Sequence, residues 1–416
     1  MGKDFDLFLL NYNRLEEFRE IADPLADAAV ADIFSSGYGK DIDKVFKFLG
    51  QINSSSADTT PPFDSKLLEI VEDFVQRTHQ LPEWADQELI KKGEEVFSTY
   101  GLAIIMLLNV SSLPLCYTCA NGSKVLFETG RLLASHQGIN PVIKRLMDTA
   151  QIILDVMLPG GLMPGGKGVV SIQKVRLIHA VTRYYLKHSN NADRWQNEIY
   201  GEPINQEDMA GTLMSFAPVI LSGLKHLNAS LTMEQMDAYM HCWKVVGYLM
   251  GVKEELLPNS YEEGFALTTK ILQHQAKESV EGKALTSSCI KTMNTILLNN
   301  RLGDVPVFLI VYFMKDFSEA SNVDLCRMIG VKYKSGSKNK IVISLTQYIM
   351  GKFSHLEKDA FIRKITPPFN RILLRGLINL FNRGESNSFT IPAALQNKWI
   401  QGDKENQLTE LEKALN

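Results

Sequence analysis

Helical periodicity is the feature of this sequence that most limits its fold. Apolar residues recur at three- and four-residue spacing through most of the chain, whereas the strict alternation of half-buried strands is scarce. After Asn140, for example, a proline opens the first turn and apolar side chains form one stripe as far as Met157. The sequence therefore predicts an all-α fold.

The length and composition fit a large soluble helical protein. The chain has 416 residues, of which 45% are hydrophobic and 22% charged, enough to build a sizeable core. Internal repeats and long linkers are not evident, so we expect a single large helical domain over residues 1–416. Within it, Met209–Leu224 is expected to form one continuous apolar helix.

Charge and apolar runs exclude several classes of protein. A net charge of −3 gives no reason to expect a nucleic-acid partner. The longest apolar runs, 103–110 and 305–313, are far shorter than the roughly 20 residues that a membrane span needs. Acids at Asp4 and Asp6 occupy the region where a signal peptide is basic and then apolar. We therefore expect a cytoplasmic protein without a transmembrane segment.

The five cysteines predict neither disulfides nor a zinc site. Cys116 and Cys119 form a C-x-x-C pair, but a second pair that could complete a zinc site is missing. Ala120 stands where a covalent haem attachment motif has histidine. The pair is expected to be buried and unreactive, and any haem in this protein would be held non-covalently.

A glycine-rich loop between two predicted helices allows two interpretations. Gly161 to Lys167 matches most of a phosphate-binding loop, but Gly168 stands where Ser or Thr must reach magnesium. The loop also follows a helix, whereas a phosphate-binding loop follows a strand. The pattern favours a turn that joins two packed helices, with Ser171 as the N-cap of the second.

The second of these helices carries the most informative residues. Arg176, His179 and Arg183 follow each other at i, i+3 and i+7, which places them on one side of the helix. A histidine in such an apolar helix is often an ordinary core residue. An imidazole between two guanidiniums could also bind a haem iron, with the cations next to the propionates. From these residues alone both interpretations stay open.

Five short motifs connect this helix to a known family. In order along the chain they are Glu128-Thr129-Gly130-Arg131-Leu132, Arg145-x-x-x-Thr149, Lys174-Val175-Arg176-Leu177-Ile178-His179-x-x-x-Arg183, Gly201-x-Pro203-Ile204-Asn205-Gln206-x-Asp208 and Trp243-x-Val245-Val246-Gly247-Tyr248-Leu249-Met250-Gly251. On these motifs the chain resembles the superfamily of latex clearing proteins (rubber oxygenases) and mycophenolate-pathway oxygenases. The resemblance covers residues 82–272, with a looser match at Asp23-Pro24-Leu25-Ala26-Asp27.

The resemblance implies a globin-like helical core around a non-covalent b-type haem. The N-terminal helices of residues 1–81 and the C-terminal helices of residues 273–416 would pack on this core. His179 would be the proximal ligand of the haem iron, a role that suits neutral imidazole. Arg176 and Arg183 would lie near the haem, where a guanidinium offsets the charge of a propionate.

The resemblance also implies an activity: a haem-dependent oxygenase that uses O2 on a small lipophilic substrate, an isoprenoid or another alkene. Arg145 and Thr149 correspond to the distal side of the haem, and Glu128 to a base that removes an allylic proton. The sequence departs from rubber-cleaving relatives at Asp148, where these can carry a distal lysine, and at Tyr184, where they can carry histidine.

Less specific interpretations remain beside these. Glu128 could form an i, i+3 salt bridge with Arg131, and Arg145 and Thr149 could be a helix-edge pair without a ligand. The protein could instead bind haem for peroxidase-like chemistry or sensing, or be a helical interaction protein without haem. Other candidate ligands of the iron are His188, His136 and His241. The oligomeric state does not follow from the sequence.

Overall fold

The structure is a computed structural model in which every regular element of the described residues is a helix. It describes residue 6 and residues 11–51, 64–129, 141–188, 195–296, 304–332 and 344. At several of these positions, among them 141–147, it describes the backbone alone. An isolated antiparallel bridge between Cys119 and Ala276 is the sole strand-type pairing within these ranges.

Nine α-helices lie in the described residues of the first half of the chain. They are α1 (Tyr12–Arg19), α2 (Pro24–Ser35), α3 (Ile42–Gln51), α4 (Ser65–Thr78), α5 (Gln87–Leu107), α6 (Leu113–Tyr117), α7 (Ala120–Glu128), α8 (Pro141–Met157) and α9 (Lys167–His188). A 3₁₀ turn, Tyr38–Asp41, precedes α3, and a π-helical turn, Leu108–Ser112, joins α5 to α6.

Eight further helices follow in the described residues. They are α10 (Asn197–Tyr200), α11 (Gln206–Phe216), α12 (Pro218–His226), α13 (Met233–Leu249), α14 (Tyr261–Gln275), α15 (Val280–Ile296), α16 (Val305–Ser321) and α17 (Leu325–Met328), with a 3₁₀ turn at Glu254–Leu256.

Two details of the sequence interpretation were wrong. The predicted helix Met209–Leu224 is divided into α11 and α12, because Ala217 leaves the helical conformation immediately before Pro218. Ser171 is not an N-cap, since α9 already begins at Lys167. The Ser171 hydroxyl lies one turn inside the helix and donates to Oδ2 of Asp155 on α8 at 2.6 Å.

Helix α9 separates two hydrophobic cores. The larger core is built mainly from α5, α11, α12, α13, α14 and α16, and α9 contributes Val169 and Ile172 to it. The smaller core lies between α2, α3, α4 and α9, and α9 contributes Leu177, Ile178, Ala180 and Val181. The helix that carries His179 is therefore fixed by packing on both sides.

Among the described residues, one continuous helical run is long and apolar enough to cross a membrane. Gln87–Tyr117 spans 31 residues, and 61% of its most apolar window is buried inside the protein. The run joins segments that the sequence interpretation treated separately. Length and composition are weak evidence of a membrane span, because the core helix of a soluble protein satisfies the same criterion. The absence of a transmembrane segment stays a prediction.

Two ion pairs join α2 to α9. Arg176 donates from Nε and Nη2 to the two carboxylate oxygens of Asp23, at 2.6 and 2.9 Å. Arg183 donates from Nε to Oδ1 of Asp27 at 2.7 Å. Asp23 also accepts from the backbone N–H of Ala26 and so caps α2. We call these two contacts the α2–α9 ion pairs.

Gly251 allows the first of these pairs to form. Its φ is +84°, and a Cβ at this position would lie 2.8 Å from Cζ of Arg176 and 2.9 Å from Oδ2 of Asp23. A side chain here would therefore meet both a left-handed backbone and a buried ion pair that cannot move without losing its hydrogen bonds.

We expect Gly251→Ala to lower the free energy of unfolding by about 3 kcal/mol, because backbone strain and the clash with Arg176 add. Gly37 is a matched control, since its φ is +85° and a Cβ there would meet nothing within 4 Å. Gly37→Ala should cost about 1 kcal/mol, the strain alone. Urea unfolding followed by circular dichroism measures both, and equal losses would contradict this account.

Candidate functional site

The structure places the three predicted cofactor residues on one side of α9. Arg176 and Arg183 are buried at 8% and 1% exposure. His179 is half-buried, and its Nδ1 atom is hidden from solvent. With 100° between successive residues of a helix, the two arginines project within about 20° of each other, and His179 projects about 60° away. The two guanidiniums lie on either side of the imidazole along the helix axis.

The two arginines differ in how many of their guanidinium nitrogens have a hydrogen-bond acceptor. Besides its contact with Asp23, Arg176 donates from Nη1 to the carbonyl oxygen of Leu249 at 3.0 Å. All three of its nitrogens therefore have an acceptor. Arg183 donates from Nη1 to the carbonyl oxygen of Ile204 at 3.3 Å, while its Nη2 atom is buried with no acceptor among the described residues.

The distal-side candidates lie on α8, which packs against α9. Thr149 and Asp148 are half-buried. Arg145 lies on the same helix, and its side chain is outside the described part. The structure thus has the predicted distal and proximal residues on two adjacent helices.

Glu128 lies at the C-terminal end of α7, a helix that packs on α6 and α15. Its Oε1 atom is 3.4 Å from the ammonium of Lys124, whose nitrogen is also 3.9 Å from Glu281. Arg131, the partner considered for Glu128 from the sequence, is outside the described residues. Glu128 therefore has a cationic neighbour at i, i−4 and keeps 20% of its side chain exposed.

Tyr184 takes part in a stack of aromatic rings beside the α2–α9 contact. Its ring lies 4.3 Å from the ring of Phe34 and 4.2 Å from that of His188. The stack occupies the end of α9, beyond Arg183. A tyrosine at this position therefore has a packing role, next to the site rather than within the imidazole–arginine group.

The glycine-rich loop forms the predicted turn between α8 and α9. A cleft of about 520 Å³ beside it is lined by Gln151, Leu154, Asp155, Leu158, Pro159, Gly160, Gly161 and Lys167. The N–H of Gly160 donates to the carboxylate of Glu94 at 3.0 Å, so a protein side chain already occupies it. This contact disfavours a phosphate site. Lys167, which lines the cleft, precedes His179 by twelve residues on α9, or about 18 Å along the helix axis.

The C-x-x-C pair shows no sign of activation. Cys116 and Cys119 are free thiols. Burial raises the pKa of the Cys116 thiol to about 11, and that of Cys119 further. Because the thiolate is the reactive form, this environment favours the unreactive pair that the sequence predicted.

The residues on α9 fit a haem in their donor chemistry. The described residues contain no group of three or more His, Cys, Asp or Glu side chains that could hold a metal ion. A haem iron needs none, because the porphyrin supplies four ligands and the protein one axial histidine. His179 offers such a histidine, and the buried Nη2 of Arg183, one turn away, offers a donor for an anionic group. In Arg176, by contrast, each nitrogen already donates to Asp23 or Leu249.

Sequence reasoning missed the partners of the two arginines. Asp23 and Asp27 appeared as a loose match to a family motif, without a role. Their spacing of i, i+4 contained a signal, because it places two carboxylates on one face of α2. Pairing them with two arginines at i, i+7 on another helix required the tertiary structure.

Comparisons with known proteins agree with this geometry. The chain is 24% identical over 216 residues to a rubber oxygenase of Streptomyces sp. (strain K30), and the aligned region spans about half the length of each protein (51%). The fold is similar to that of a solved structure of latex clearing protein in the closed state, with a TM-score of 0.64 and 19% identity. That match covers 90% of this chain and 95% of the other. It confirms the predicted all-α, globin-like fold.

The family model described as "ER-bound oxygenase mpaB/B'/Rubber oxygenase, catalytic domain" matches residues 101–326. This range contains all five motifs and both helices of the candidate site. The chain belongs to this family of oxygenases.

Proposed function

We propose that this protein is a haem b-dependent oxygenase that uses O2 on a small lipophilic substrate, an isoprenoid or another alkene. The observation that carries the proposal is the arrangement on α9: a half-buried imidazole, His179, with buried guanidiniums on either side. Membership of an oxygenase family supports the reaction class. A cytoplasmic location stays part of the proposal.

His179 is the proposed axial ligand of the iron, and Arg183 the proposed partner of a propionate. Burial strengthens both contacts, because a low dielectric favours paired charges and excludes competing water. Haem, when bound, supplies the activation of O2 that amino-acid side chains cannot provide. Contact of Arg176 with a propionate stays a prediction, since each of its nitrogens already donates to Asp23 or Leu249.

Glu128 is the proposed base, which would accept an allylic proton of the substrate at a carboxylate oxygen. The ammonium of Lys124 lies 3.4 Å from the Oε1 atom of Glu128. Arg145 and Thr149 on α8 are proposed to orient the reactants on the distal side. Asp148 cannot act as the distal lysine of rubber-cleaving relatives, because it carries the opposite charge, so polyisoprene is not the substrate that we favour.

We expect His179→Ala to reduce the haem content of the purified protein roughly tenfold or more, because the iron loses its axial ligand. Haem per chain, from the pyridine haemochrome spectrum, is the measurement. His188→Ala is the control, since His188 is exposed at the end of the same helix. If His179→Ala kept its full haem content, the ligand would have to be another histidine.

We expect Glu128→Gln to keep its haem and to reduce O2 consumption with an alkene substrate about 100-fold, the usual contribution of a general base. Glu281→Gln is a matched control, because Glu281 lies near the same lysine. An oxygen electrode measures both variants, with an isoprenoid alkene as substrate. Equal rates for the two variants would remove Glu128 from the mechanism without affecting the haem assignment.

A further inference from the structure

We infer that Asp23 and Asp27 are positioning residues of the candidate site, which fix the rotation of α9 and thereby the direction of the His179 imidazole. The consequence of this inference for haem ligation rests on the proposed function. The geometric basis of the inference is the α2–α9 ion pairs alone. Asp23 is the N-cap of α2 and Asp27 lies in its first turn, and both are outside the range of the family model.

The two ion pairs hold α9 at two positions along its axis. Arg176 and Arg183 are seven residues apart, which is about 10 Å along the helix axis, and they project in nearly the same direction. His179 lies between these positions. Two anchors on the same side of a helix oppose both rotation and tilt, and they add to the packing of α9 against the two cores.

The ion pair between Asp23 and Arg176 is rigid because a third helix, α13, takes part in it. Asp23 and Arg176 are both buried, at 3% and 8% exposure. The guanidinium also donates to the carbonyl oxygen of Leu249 at the end of α13, and Gly251 leaves no space around it. The position of Arg176 is thus determined from two directions, by α2 and by α13.

The ion pair between Asp27 and Arg183 is the second contact that holds α9. Asp27 is held one turn further along α2, and its side chain is 34% exposed. Arg183 is 1% exposed and also donates to the carbonyl oxygen of Ile204, just before α11. Each arginine therefore bonds one carboxylate of α2 and one backbone carbonyl from another part of the chain.

Small rotations would matter at this site. A group about 6 Å from a helix axis moves about 1 Å when the helix turns by about 10°. Distances between metals and their ligands are defined within about 0.2 Å. Loss of one anchor should therefore change the ligand geometry of His179 even when the protein remains folded.

Asp23→Asn and Asp27→Asn in the full-length chain test the inference. Asparagine keeps the size of the side chain and caps helices as well as aspartate does, so Asp23→Asn weakens the ion pair without removing the N-cap. Asp73→Asn is the matched control, because Asp73 forms an exposed ion pair with Arg77 within α4 that does not involve α9.

The first readout needs no haem. Protein labelled with ¹³C at the histidine ring is prepared without haem, and the signal of His179 is identified by its loss in His179→Gln. A role limited to stability would leave this signal unchanged in a folded variant. We expect Asp23→Asn and Asp27→Asn to move it, and Asp73→Asn to leave it in place.

The second readout is haem binding by reconstituted protein. We expect the dissociation constant for haem to rise roughly tenfold or more in Asp23→Asn, and the midpoint potential to shift. If Asp23→Asn does not fold, Asp27→Asn tests the positioning role instead, because Asp27 lies at the more exposed ion pair.

The outcomes separate the two proposals. A wild-type chain that takes up no haem overturns the proposed function, while the ring signal of His179 still decides whether α2 positions it. An unchanged ring signal and an unchanged midpoint potential in folded Asp23→Asn and Asp27→Asn would overturn the positioning role. Haem ligation by His179 would survive that result.

Discussion

The contact between Asp23 and Arg176 is the constraint on which the candidate site depends. Removing two charges from water is costly, and their attraction repays the cost only when geometry and hydrogen bonding are close to ideal. Here two hydrogen bonds join the side chains and a third holds the guanidinium to Leu249. Such a pair resists any change in the register of α2 and α9, because a displaced partner would leave a charge buried and unpaired.

This constraint changes the electrostatic description of the site. The sequence suggested two unmatched cations beside an imidazole, ready for the propionates of a haem. The structure pairs each guanidinium with a carboxylate, so that every nitrogen of Arg176 has an acceptor, while the buried Nη2 atom of Arg183 has none among the described residues. The arginines then have a structural function first, and the charge around His179 is closer to neutral than the helix by itself implies.

Local patterns predicted the helices well and the tertiary contacts poorly. The apolar stripe that ends at Met157 corresponds to a helix with the expected ends, because periodicity is a local property. The break at Pro218 was missed, since apolar periodicity continues across it. The ion pairs of α2 were also missed, because residues 153 and 156 positions apart in sequence meet only in the folded chain.

The central claim is that His179 holds a haem iron inside this bundle of helices. The most direct measurement is the absorption spectrum of the untagged wild-type protein, expressed with a supply of haem, before and after reduction with dithionite. The account predicts a Soret band that shifts on reduction, as expected for a haem with histidine ligation. A colourless protein that stays colourless when haem is supplied would contradict the account and leave the helical fold as its surviving part.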